Sequence, residues 1–68
     1  MQPNLIKKYK GKKVLVWGLG LHGGGVGTAS FFAKLGANVL VTDMKSEMEL
    51  KTSIAKLKKF KNITYHLG

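Results

Sequence analysis

Apolar residues along this chain fall into blocks whose spacing changes from one block to the next. Lys13-Val14-Leu15-Val16-Trp17 is an apolar run rich in β-branched and aromatic side chains, bounded by Gly11 and Gly18. Such a run predicts a strand buried on both faces, as in a parallel sheet. After a glycine-rich stretch, Val26, Ala29 and Ala33 fall on one stripe with Phe32 and Leu35 beside it, and Gly36 offers a left-handed stop. That pattern predicts an amphipathic helix, beginning near Gly25 if the glycine loop extends or near Gly20 if the helix takes in its glycines. Asn38 to Thr42 predicts a second short strand centred on Val39, Leu40 and Val41, with Asp43 at its carboxyl end.

Ser46 followed by Glu49 makes a capping box, and Leu50, Ile54 and Leu57 then recur at i, i+4 and i+7. This predicts a second helix. It fades near Phe60, where lysines and Asn62 break the pattern, and Ile63 to His66 predicts a third short strand. Residues 1–11 form a polar, lysine-rich lead-in whose Leu5, Ile6 and Tyr9 suit one short helical turn against the body. The order β-α-β-α-β requires parallel strands joined by right-handed helical crossovers. The expected fold class is therefore α/β, a Rossmann-like half with a short parallel sheet. Residues 1–68 count as one partial domain, because the sheet edge calls for further strands. A truncated N-terminal domain, an excised fragment or a dimer pairing its edges would each answer that need.

Composition narrows the chemistry. The chain has no cysteine, which excludes disulfides and thiolate zinc sites, and with only His22 and His66 as imidazoles no dedicated metal centre is expected. The longest apolar run, Val14 to Trp17, is far short of the ~18 to 20 residues that span a bilayer. Residues 1–13 lack the apolar segment of a secretory signal. The expected location is the cytoplasm, with no membrane partner. The net charge of +9 comes from twelve lysines, without any arginine, against Asp43, Glu47 and Glu49. Polyanions are attracted by such a balance, yet lysine is a point charge where bidentate reading of bases or phosphates favours arginine. Most of the lysines read as a solvated surface, and nucleic acid is not the expected partner.

The chemistry-bearing element is Gly18-Leu19-Gly20-Leu21-His22-Gly23, a G-x-G-x-x-G directly after a predicted strand. In that context Gly18 permits the sharp turn, Gly20 lets backbone approach a pyrophosphate, and Gly23 removes a side chain where helix and strand pack. Backbone N–H groups at the helix start would hold the phosphates. The loop continues with Gly24, Gly25 and Gly27, more glycine than a compact dinucleotide loop requires. His22 either donates to a phosphate oxygen or is an exposed loop residue without a role. Asp43 follows Gly18 by 25 residues, close to where dinucleotide folds place an acid on a ribose hydroxyl, and a turn aspartate before Ser46 is its plainer reading. Lys45 just beyond can neutralise phosphate. No catalytic constellation is visible, and Gly11-Lys12-Lys13 lacks the flanking residues of an ATP-binding loop. Trp17 and Tyr65 read as sheet packing rather than base stacking, and His66 as a strand-end residue.

The wording from Gly11 to Gly23 resembles the opening of the muramyl ligases, particularly those that add D-glutamate. Phe31-Phe32-Ala33-Lys34-Leu35-Gly36-Ala37-Asn38-Val39-Leu40-Val41-Thr42-Asp43 is similar to that family's first helix and second strand, and His66-Leu67-Gly68 to its third-strand exit. The resemblance covers nearly the whole chain. It implies an N-terminal domain that grips the uridine diphosphate (UDP) end of a UDP-linked muramoyl precursor of the cell wall. It also implies that the ATP-dependent amide-bond chemistry belongs to downstream ligase domains: ATP, with magnesium, phosphorylates a carboxylate and the amine of D-glutamate attacks the acyl phosphate. By position, Leu21 and His22 would lie by the diphosphate with Gly18, Gly20 and Gly23, while Asp43 and Lys45 would approach the uracil. His22 stands where the family commonly has a small hydroxyl residue, and Lys45 where it commonly has arginine. This segment by itself is expected to bind no cofactor. Two alternatives share the same residues: a nicotinamide-binding half-domain of a dehydrogenase or nucleotide-sensing regulator, and a nucleic-acid binder using the clusters Lys7 to Lys13 and Lys56 to Lys61.

Overall fold

The computed structural model describes residues 3–20 and 24–68. Its elements run α1 (Pro3–Tyr9), β1 (Lys13–Trp17), α2 (Gly24–Lys34), β2 (Asn38–Asp43), α3 (Lys51–Leu57) and β3 (Ile63–Leu67). The strands form one open sheet in the order β1-β2-β3. Every pairing is parallel, with Val14 opposite Val39 and Val39 opposite Ile63. This is the Rossmann-like half expected from the alternation of elements.

α2 and α3 lie side by side, and between them and the sheet sits the core of Val16, Ala29, Ala33, Val39, Val41, Leu50, Leu57 and Ile63. Two alanines on the buried stripe of α2 let that helix come close to the strands. α2 ends in a Schellman turn: Ala37 N–H donates to Phe32 O (3.2 Å) and Gly36 N–H to Ala33 O (3.0 Å), with Gly36 at φ 85°. The left-handed conformation explains the glycine there. The lead-in is indeed helical, and Tyr9 of α1 meets Phe32 of α2 edge to face at 5.1 Å. Asn62, which interrupts the sequence pattern, has a structural task. Its Nδ2 donates to Ala33 O (3.0 Å) and Ala37 O (2.7 Å), fastening the approach to β3 onto the end of α2.

Two expectations need correction. The capping box forms reciprocally, with Ser46 N–H donating to Glu49 Oε1 (3.1 Å) and Glu49 N–H to Ser46 Oγ (3.3 Å). It heads a turn rather than the helix, and regular α-helix starts at Lys51. The Lys51 N–H reaches back only to Met48 O at 3.4 Å, so the chain re-aims between the box and α3. The second correction concerns β1. Val16 is buried, but Leu15 is 57 % and Trp17 80 % exposed, and Leu40 of β2 is exposed beside Leu15. Both helical crossovers lie on one face of the sheet, and no described residue covers the other. Trp17 therefore does not pack into the sheet's core, whereas Tyr65 on the covered face does.

Candidate functional site

Parallel strands end side by side, so the loop leaving β1 and the turn leaving β2 meet at one edge of the sheet. Ligands of open α/β sheets bind in that crevice. Gly18 and Gly20 adopt φ of 89° and 72°, values at which a side chain would be strained. Leu19 between them is wholly buried and anchors the loop in the core. Gly18 N–H donates to Thr42 O (2.7 Å), extending the pairing of β1 and β2 by one rung, and Gly25 N–H donates to Leu19 O (2.9 Å) at the start of α2.

Close approach of helix and strand was expected at Gly23, which lies outside the described residues together with Leu21 and His22. Among the described glycines it falls on Gly25. A Cβ there would overlap the Gly18 carbonyl oxygen and come within 2.6 Å of Leu19 Cα, whereas Gly24 and Gly27 face open space. Spacing alone could not rank three neighbouring glycines, because only the packed loop shows which one touches backbone.

Asp43 stands at the end of β2 with its carboxylate turned into the crevice. Oδ2 accepts the Leu19 N–H at 2.9 Å and Oδ1 accepts the Lys45 N–H at 2.9 Å. The second bond is an Asx turn of the kind aspartate favours. The Lys45 N–H, then the Leu19 N–H, hold the carboxyl below its usual range; partial burial opposes them, and the Lys45 charge and Met44 N–H add to the lowering. Gly68 N–H braces the same turn from beyond β3, donating to Asp43 O (3.0 Å) and Lys45 O (3.1 Å).

Gly18, Gly20, Asp43 and Lys45 are thus brought to the same end of the sheet. His66 occupies the row Trp17, Thr42, His66 on the bare face. Glu49 is bound to Ser46, whose N–H and hydroxyl lower its carboxyl. Leu19, Gly25 and Gly68 were missed as site residues. An apolar letter inside the glycine motif was the available signal for Leu19, while the bonds of Gly68 are long-range and leave none. A surface depression bordered by Lys13, Leu15, Leu40 and Lys61 lies at the amino end of the sheet, away from the glycine loop. Asp43 spends an oxygen on each of two N–H groups, no three metal-ligating side chains converge among the described residues, and Gly11 to Lys13 sits at the amino end of β1.

Comparison with known proteins converges on one group. The chain is 46 % identical over 65 residues to the UDP-N-acetylmuramoylalanine–D-glutamate ligase of Borreliella burgdorferi, matching 94 % of this chain and 14 % of that protein. It is 41 % identical over 59 residues to the ligase of the same name from Treponema pallidum, covering 87 % of this chain and 11 % of the relative. The Clostridioides difficile ligase is 42 % identical over 59 residues, or 87 % of this chain and 13 % of its own length. No family model and no solved structure matches. A Rossmann-like half with this glycine loop, matched over nearly its whole length, belongs to the muramyl ligase family as an N-terminal segment. Within that family the relatives quoted all carry the name of the D-glutamate ligase. The chain spans about one seventh of the Borreliella protein's length.

Proposed function

We propose that this segment holds the UDP end of a UDP-linked muramoyl precursor for a ligase that adds D-glutamate in peptidoglycan synthesis. The observation that supports it is the loop Gly18-Leu19-Gly20, held beside Asp43 at the carboxyl ends of β1 and β2, in a chain whose relatives are named for that precursor. Gly18, Leu19 and Gly25 already use their N–H groups internally. In this reading Gly20 and, by the resemblance, Leu21, His22 and Gly23 supply the phosphate contacts. Lys45 would meet the nucleotide from the other side of the crevice. ATP, magnesium and amide-bond formation belong in this reading to other domains of the ligase, and the setting is the cytoplasm.

Titration of the chain with UDP and, separately, NAD, followed by amide NMR, tests this reading. Saturable shifts at Gly18, Gly20, Asp43 and Lys45 with UDP but not NAD are expected. Preference for NAD would transfer the segment to the dehydrogenase class, and binding to DNA that collapses with added salt and excludes UDP would transfer it to nucleic acid.

A further inference from the structure

We infer that Asp43 is a positioning residue of the crevice: its carboxylate ties the loop leaving β1 to the turn leaving β2 and so sets the conformation a nucleotide meets. The inference rests on the proposed site but uses only the chain's own bonds. Leu19 lies past the end of β1, and its wholly buried position gives its N–H no water to turn to. Asp43 Oδ2, 24 residues away in sequence, is the acceptor, while Oδ1 closes the turn onto Lys45. Hydrogen bonds to an ionised acceptor are roughly twice as strong as neutral ones. The tie thus joins the two walls of the crevice through one side chain.

The geometry is specific to aspartate. Asparagine has one carbonyl oxygen and an amide NH2, so it can accept from only one of the two N–H groups and turns a donor toward the other. Glutamate is longer by a methylene and does not close the two-residue turn to Lys45. The charged groups facing Asp43 among the described residues are Lys45, which favours the carboxylate, and Glu49, whose charge is felt between the two acids. Glu49 has its own reporter in the Ser46 N–H.

The test is amide NMR of the 68-residue chain across acid pH, for wild type, Asp43→Asn and Asn62→Ala, each also titrated with UDP. In the wild type the Leu19 and Lys45 amides are expected to titrate together, with a midpoint below the usual carboxylate range. Asp43→Asn should abolish that shared step, speed exchange at one of the two amides and weaken UDP by about tenfold, the scale of a lost bond to a charged group. Asn62→Ala, remote from the loop, should lower stability but leave the shared step in place. Independent titration of Leu19 and Lys45 would overturn the inference even if Asp43→Asn fails to fold, and so would unchanged UDP affinity in a folded Asp43→Asn. A wild type with the shared step but no UDP binding would sink the proposed function and leave the tie standing.

Discussion

On β2, Val39 and Val41 face the helices and are 1 % and 0 % exposed, while Leu40 between them is 41 % exposed on the other side of the same sheet. β1 repeats the contrast: Val16 is buried, and Leu15 and Trp17 lie open. The open Leu15, Trp17 and Leu40 are as apolar as the buried Val16, Val39 and Val41, so at these positions side-chain chemistry does not distinguish the two faces. What differs is the presence of α2 and α3 on one face only. Apolar letters state a capacity for burial, and the energy is realised only where another layer excludes water.

The sharpest way to break this comparison is to place the same charge on adjacent residues of β2. Val41→Asp buries an unpaired carboxylate and should unfold the chain, whereas Leu40→Asp on the open side should cost only about 1 kcal/mol; circular dichroism melts of the two variants decide it. Gly25→Ala comes next, since its Cβ would overlap the Gly18 carbonyl. A loss of about 1 to 3 kcal/mol is expected from overpacking, while Gly27→Ala in open space should stabilise by about 0.8 to 1 kcal/mol. Urea midpoints with unchanged slope would report both.

Asn62→Ala strips the covered face of its side-chain tie to Ala33 and Ala37 and should cost about 1 to 3 kcal/mol, chiefly through the Ala37 carbonyl, since Ala33 O keeps the Gly36 N–H. Acid probes the edge between the faces. Asp43 and Glu49 have folded pKa values below their unfolded ones, so their contribution is whole above about pH 5 and fades as pH falls through the lowered folded values. Melting temperature should drop over that interval, less steeply in Asp43→Asn. Smallest of all, Trp17→Ala on the bare face should change stability by less than about 0.5 kcal/mol, and a larger loss would show that Trp17 is covered in solution.

Much of the fold was legible because its signals are local. Val14 to Trp17, the stripe Val26, Ala29, Ala33, and the stop at Gly36 each name an element within a few residues, and the alternation of those elements implies a parallel sheet. The candidate site was legible in outline, through Gly18, Gly20 and Asp43. The partner of Asp43 was not, because the Leu19 N–H reaches it only once β1 and β2 pair in register. The capping box shows the same limit at short range: Ser46 and Glu49 bond as their spacing foretells, yet the helix waits until Lys51, since its onset depends on how Leu50 seats in the core.

The sequence by itself determined the kinds and order of the elements, the strand-to-helix glycine loop and the placing of an acid at the end of β2. All of these follow from backbone preferences and periodicities that act within a dozen residues. Only the tertiary structure decided which face of the sheet is covered, which glycine touches backbone, and that Asp43 spends its carboxylate on Leu19 and Lys45. Those outcomes depend on contacts between residues distant in the chain, where burial and hydrogen bonding are properties of the assembled layers and not of any one residue.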